Sequence, residues 1–202
     1  MAKLNNVLIT VSNELTGDTY LTRSYPDHDR DNNRKRELYS TPVYKLYIEK
    51  ISKLKGTKTM WKALRFYPYW NDPKAPDTRY KTRGWKNAGL WRFPKTRVSY
   101  YNRKYETHTN SPYRGAIQIK GHYLIHAGPR TLHEYAWGAA GCVEIIGDFN
   151  SFKEDIKRIS GSVRRTADGA ISELVRLGKL FVKIEYAKPP KFKNNFFLEE
   201  PY

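Results

Sequence analysis

Apolar and polar positions alternate over short stretches in the first fifty residues. Val7 to Val11 and Asp18 to Arg23 read as two short strands separated by a turn at Thr16-Gly17-Asp18. From Pro42 to Ile51, the side chains of Val43, Lys45, Tyr47 and Glu49 oppose those of Tyr44, Leu46, Ile48 and Lys50, the period-2 pattern of an amphipathic strand. Val98 to Tyr101 reads as another strand. Ile117, Ile119, Tyr123 and Ile125 form one face of a strand broken at Gly121, with His126 at its end. Beyond Gly147 the period becomes helical. Phe152, Ile156 and Ile159 fall at i, i+4 and i+7, behind an N-cap at Asn150 or Ser151, with Glu154 three residues after Ser151 as in a capping box and Gly161 as the stop. A second helix is predicted from Asp168 to Leu177, carrying Ile171, Leu174, Val175 and Leu177, with Gly178 ending it. Leu180 to Ala187 alternates as a closing strand, and 188–202 is a tail unless Phe196 and Phe197 dock.

These elements predict an α+β fold of mostly antiparallel β-sheet with one or two packed helices. The 202 residues suit one domain spanning 1–202, with 52–112 as a basic, aromatic-rich insertion or lobe. A mean hydropathy of −0.77 and an apolar content of 39% describe a polar-surfaced, soluble chain. No apolar run approaches the ~18 residues of a membrane span. The N-terminus shows no secretory signal, since Val7 to Val11 is too short for an apolar signal core. One cysteine excludes an intramolecular disulfide framework.

Charge narrows the partners. The net charge is +17, and between Lys50 and His133 there are 19 Lys or Arg against three acids, Asp72, Asp77 and Glu106. Such a field favours a polyanion: nucleic acid, an anionic membrane surface, or acidic wall polymers. The same region, Gly56 to Ser111, holds Trp61, Trp70, Trp85 and Trp91 among basic residues, as in KALRFYPYW. That interleaving suits stacking on bases or sugar rings, and equally an aromatic core beneath solvated charges. Pro68, Pro73, Pro76 and Pro94 mark much of it as loop. Ser24 to Glu37 is a polar loop in which His28 sits among Asp27, Asp29 and Asp31, read as solvated acids rather than a metal site. His108 is a loop residue.

The candidate chemistry lies between Gly115 and Gly147, which contains three of the five histidines and the only cysteine. Cys142 follows the small-residue run Gly138-Ala139-Ala140-Gly141 and precedes the apolar Val143, Ile145 and Ile146. A thiol in such a turn, with His126 upstream on a neighbouring element, suggests a cysteine nucleophile and a histidine base. Gly141 would let a carbonyl approach the backbone, where amides near Cys142 can form an oxyanion hole. His122 shares parity with His126. Tyr123 and Trp137 are candidate cleft walls, and Arg130 is a candidate for holding a substrate carboxylate. His122, His126, His133, Cys142 and Glu144 are zinc-compatible ligand types, but no compact metal-binding spacing is present, so neither a metal nor a cofactor is expected.

The segments IHAG and AAGCVE, with Cys142 sixteen residues after His126, resemble the catalytic motif of the L,D-transpeptidases, cysteine enzymes that cross-link or edit bacterial peptidoglycan. The resemblance covers roughly Gly115 to Ser160. It implies a β-sandwich in which Cys142 is the acyl-accepting nucleophile, His126 the base and Gly141 part of the oxyanion turn. His122, Tyr123, Arg130, Trp137 and Ala140 would line the substrate site. Ala139, Ala140 and Glu144 stand where the family carries Ser or Thr, His, and Arg or Asn. The implied substrates are peptidoglycan stem peptides, by exchange, cross-linking or hydrolysis. Without a signal peptide, such an enzyme would be made in the cytoplasm and exported to the periplasm or wall of a target bacterium. It would then be an antibacterial effector or toxin, with an immunity protein or a secretion-machine carrier as partner. Two alternatives stay open: a basic nucleic-acid-binding module with a structural cysteine, and a catalytically degenerate wall-binding protein.

Overall fold

The sheet is organised around β1 (Val7–Arg23), a strand of 17 residues. The computed structural model describes residues 4–23, 37–52, 56, 58–71, 84–107, 111–134, 136–137, 141–191 and 196–198. β1 runs antiparallel to β2 (Glu37–Lys50), from Val7 opposite Lys50 to Arg23 opposite Leu38. The expected break into two strands is replaced by one strand with register shifts between Val11 and Leu15 and between Leu15 and Thr19. Each shift adds two residues to β1, so side-chain parity is kept: Val7, Ile9 and Val11 lie in the core beneath the helices, and Tyr20 packs on the opposite face. Gly17, at φ +92°, takes the left-handed conformation within the bulged stretch.

The remaining strands are β3 (Lys58–Leu64), β4 (Tyr67–Asn71), β5 (Gly84–Ala88), β6 (Phe93–Arg97), β7 (Tyr101–Asn102), β8 (Ala116–Lys120), β9 (Tyr123–Ala127), β10 (Ala136–Trp137), β11 (Val143–Ile146), β12 (Leu180–Ile184) and β13 (Phe196–Leu198). Among the described residues, one 11-stranded sheet has the order β6-β12-β1-β2-β3-β11-β9-β8-β7, with β10 added to β1 and β13 to β2. β4 and β5 form a separate two-stranded sheet. The large sheet is mostly antiparallel, and the fold is α+β. Its parallel pairs are β1 with β12, β1 with β10, and β9 with β11. Of the stretch 52–112, β3, β6 and β7 are strands of the large sheet. The strand expected at Val98 to Tyr101 is displaced: Val98 leaves β6, and pairing resumes only at Tyr101. Pro68 and Pro94 lie within β4 and β6, not in loops. Gly121-His122 forms the turn between β8 and β9, so the expected single interrupted strand is a hairpin. Phe196 and Phe197 do dock, pairing with Tyr39 and Leu38.

Two helices, α1 (Phe149–Ser160) and α2 (Ala167–Arg176), cover one face of the sheet. The predicted stripe of Phe152, Ile156 and Ile159 is buried, joined by Phe149, Ile171 and Leu174 against Ile9, Leu46, Ile48, Ile125, Val143 and Ile145. Each such side chain contributes about 2 kcal/mol of burial free energy. The N-cap of α1 is Asp148 rather than Asn150 or Ser151. Its carboxylate accepts from the Asn150 and Ser151 amides at 2.8 and 3.2 Å, and Glu154 pairs with Lys157 instead of closing a capping box. A carboxylate at this position also complements the helix dipole. Thr166 caps α2, and Gly161, at φ +68°, ends α1. No described helix is long and apolar enough to cross a membrane.

Two polar anchors hold the periphery. Arg65, 1% exposed, donates to the carbonyls of Ser12, Leu90, Trp91 and Glu185 at 2.8, 3.2, 3.2 and 2.8 Å. It thereby joins the end of β3 to the β1 bulge, the 90–91 bend and the end of β12. Phe66 and Tyr67 beside it are fully buried, and Trp61 packs edge-on against Phe152 while donating to Asp155 at 3.1 Å. This part of the basic aromatic region is therefore interior. The second anchor is Lys153, which donates to the Arg114 carbonyl at 3.0 Å and to Asp168 at 2.9 Å, while Tyr101 donates to the same carboxylate. It ties the segment from Tyr101 to Gly115 onto the helices.

Candidate active site

β9 and β11 are adjacent and parallel, with Val143 beside Ile125 and Glu144 beside His126. Residues paired in this way project to the same face, with backbones about 4.8 Å apart. Val143, Ile145, Ile125 and Ala127 face the helices. Glu144 and His126 have the opposite parity and lie on the other face of the sheet, and Cys142 immediately precedes β11. The sequence separation of sixteen residues between His126 and Cys142 is thus absorbed by the connection from β9 to β11, which returns the chain alongside the histidine's own strand.

Cover over this face comes from three directions. Tyr20 of β1 and Tyr67 of β4 pack with Val43, Leu64 and Ile146. The segment anchored by Lys153 brings Tyr105, whose ring lies 5.5 Å from the His126 ring, and Thr107. His126 is fully buried. Its Nδ1 lies 2.8 Å from the Ala127 carbonyl and 3.2 Å from the Thr107 hydroxyl. A carbonyl only accepts, so Nδ1 donates to it and carries the proton. That tautomer leaves Nε2 as the basic nitrogen, with the ring orientation fixed by the backbone.

The Cys142 thiol is 8% exposed and donates toward the His122 carbonyl at 3.7 Å. Burial pushes its pKa up to about 11. The Leu124 amide, which donates to the sulfur, acts in the other direction, and the neighbouring Glu144 carboxylate adds to the rise. At neutral pH the resting group is the thiol. Burial likewise raises the pKa of Tyr67 and Tyr105, and both also respond to Glu144 and Cys142, which puts the two phenols in the same cluster. Gly141, at φ +96°, is held against Tyr123: a Cβ there would come within 2.6 Å of the ring. Gly128, which follows His126-Ala127, is packed on Glu144: a Cβ there would lie 2.7 Å from that of Glu144.

The predicted residues divide accordingly. Gly141 is held against Tyr123, Cys142 lies beside the His122 carbonyl just ahead of β11, and His126 is on the adjacent β9. His122 joins them through its carbonyl, and its side chain is exposed on the hairpin turn. The expectation that His122 and His126 share a strand face is corrected, because the turn separates them. Arg130 is exposed and paired with Glu134 at 2.9 Å, so its guanidinium is engaged within its own turn. Of Trp137 only the backbone in β10 is described, opposite Arg23. Ala139, Ala140, His28 with its neighbouring acids, and His108 lie outside the described residues. Among the described residues no group of three metal-ligating side chains is arranged to hold an ion. Glu144 was missed as a site residue. Its signal was a single carboxylate in the apolar run CVEIIG, at the same parity as Cys142. No known protein family, curated protein or solved structure matches this chain.

Proposed function

We propose that this chain is a cysteine-dependent acyl-transfer enzyme of the L,D-transpeptidase kind, acting on peptidoglycan stem peptides through Cys142 and His126. The observation that carries the reading is the position of Cys142 at the head of β11, next to β9, the parallel strand that holds His126, with the imidazole Nδ1 donating to the Ala127 carbonyl. In this reading Nε2 takes the thiol proton as the sulfur attacks a peptide carbonyl. The acyl-enzyme then passes to an amine, giving exchange or cross-linking, or to water, giving hydrolysis. The packing of Gly141 against Tyr123 supports a role for that turn in presenting backbone amides to the oxyanion. A β-sandwich arrangement of the family's type belongs to the same proposal, as does action in the periplasm or on the wall of a target bacterium. So do an immunity protein or secretion-machine carrier as partner and a role for the net charge of +17 in holding anionic wall material.

Incubation with purified muropeptides, followed by mass analysis of the products, tests the reading. Turnover by the wild type, lost in Cys142→Ala and His126→Ala variants that retain their circular dichroism, is the expected result. No change in the muropeptides by a folded wild type overturns it. A second reading draws on the burial of Cys142: a polyanion-binding module with a structural cysteine. It predicts nucleic-acid affinity that falls roughly tenfold or more over a few-fold rise in salt, unchanged in Cys142→Ala.

A further inference from the structure

We infer that Thr107 is a positioning residue for His126, its hydroxyl holding the imidazole in the tautomer that carries the proton on Nδ1. The inference rests on the reading of His126 as the base for Cys142. Its ground is a closed set of three contacts. The His126 Nδ1 lies 2.8 Å from the Ala127 carbonyl and 3.2 Å from the Thr107 hydroxyl, which itself donates to the same carbonyl at 3.3 Å. A carbonyl has no proton to give, so the ring nitrogen and the hydroxyl both donate to it. The hydroxyl proton is thereby committed, and its oxygen meets Nδ1–H as an acceptor. The other tautomer would set a bare ring nitrogen 2.8 Å from a carbonyl oxygen, two acceptors in contact.

The fold builds the placement of Thr107 from several sides. The residue lies in the covering segment that follows β7. Within that segment the Tyr105 carbonyl accepts from the Gly115 amide at 2.9 Å, and the Lys104 amide donates to the Asn102 side chain at 3.0 Å. Lys153, 4% exposed, donates to the Arg114 carbonyl and to Asp168, and Tyr101 donates to that carboxylate. Through these bonds the helices fix the segment over β9. The Tyr105 ring then packs 5.5 Å from the imidazole, and Thr107 meets the imidazole at its Nδ1 edge.

The proton inventory closes. On the parent reading the S–H proton moves to Nε2 as the sulfur bonds to the substrate carbonyl carbon. The C–N bond breaks, and the imidazolium returns that proton to the leaving amine. Nδ1–H stays throughout between the carbonyl and hydroxyl oxygens, so no group at that edge has to reorient. Two oxygen dipoles already aimed at Nδ1–H also favour the cation that forms transiently on the ring.

Thr107→Val keeps the branched shape and removes the hydroxyl. Its expected kcat on muropeptides is about tenfold lower with KM little changed, and Thr107→Ser, which restores the hydroxyl, recovers most of the loss. The second readout needs no substrate. Long-range proton–nitrogen NMR correlations of the isotope-labelled protein report the tautomer at a pH where the imidazole is neutral, with His126 assigned by its absence from the His126→Gln spectrum. The wild type should show Nδ1 protonated and Nε2 bare. In Thr107→Val the two nitrogen shifts should move toward each other as the second tautomer becomes populated, and Thr107→Ser should restore them. A packing role alone would not shift the tautomer. A wild type protonated on Nε2, a Thr107→Val protein that keeps the wild-type shifts, or one that keeps its kcat within about twofold, overturns the inference. Should Thr107→Val not fold, Thr107→Ala removes the same hydroxyl, and unchanged shifts in it overturn the inference equally. Failure of the parent reading is distinguishable, because it shows as absence of turnover by the wild type, while the tautomer is read without substrate.

Discussion

Removing the Cys142 sulfur should change how stability depends on pH, by an amount set by the thiol's burial. In the folded chain the thiol titrates at about 11, against 9.0 for an ordinary cysteine, chiefly because it is buried. A group whose folded pKa is raised holds its proton more tightly in the native state. Its contribution is fully present below pH 9, is lost as the pH rises toward 11, and is gone above that. At about 1.4 kcal/mol per tenfold change in proton affinity, the wild type should lose roughly 3 kcal/mol across that window that Cys142→Ala does not lose. The substitution also removes packing contacts, about 1 kcal/mol, but that loss is independent of pH and displaces the whole curve. Tyr101, whose pKa is raised by burial and by Asp168, titrates equally in both proteins and cancels in the difference. Urea unfolding of both proteins at several pH values between 7.5 and 11 measures this directly. Relative to Cys142→Ala, the wild type should lose about 3 kcal/mol toward pH 11, so that the two stability curves cross. Curves that stay parallel would refute the buried, protonated thiol, and with it the need for His126 to remove a proton during the reaction.

Replacement of Arg65 tests the anchor at the end of β3. Burial pulls its guanidinium pKa down to about 10, which opposes the charged form by about 3 kcal/mol, but four carbonyls accept from it. Charge-assisted bonds of about 1.5–3 kcal/mol each outweigh that cost, so Arg65→Met should destabilise by about 3 kcal/mol, read as a lower urea midpoint; an unchanged midpoint contradicts this. Gly128→Ala places a Cβ 2.7 Å from that of Glu144 and 3.0 Å from the Ile145 carbonyl, neither of which is a flexible chain end. Overpacking of this kind should cost about 1–3 kcal/mol in thermal or urea unfolding.

The helical half of the fold was legible because its signals are local. The stripe of Phe152, Ile156 and Ile159 reports a buried helix face by spacing alone, and the ends of both helices lie within three residues of expectation. What misled at α1 was only the cap, since Asp148, Asn150 and Ser151 all have capping chemistry and backbone geometry chooses among them. β1 was harder to read. Asn13 to Asp18 carries turn residues, and a bulged strand and a turn draw on the same amino acids. Arg65 was hidden for another reason: among Lys62, Phe66 and Tyr67 it looks like a surface cation. Only the tertiary arrangement delivers four carbonyls to it. Cys142 and His126 were singled out from residue type and separation, and the fold sets the strand of His126 beside the one that follows Cys142. The place of Glu144 beside His126 depends on a parallel register between two strands that the sequence does not align, so the carboxylate read as a departure from a motif.

The central claim is that Cys142 accepts an acyl group with His126 as base. Its most direct test is intact-protein mass spectrometry after exposure to a carbapenem, whose strained amide carbonyl is an acylating probe, with peptide mapping of any adduct. The account predicts a single adduct on Cys142 in the wild type, slowed in His126→Ala and absent in Cys142→Ala. A folded wild type that stays unmodified while a small thiol reagent reaches Cys142 would contradict it.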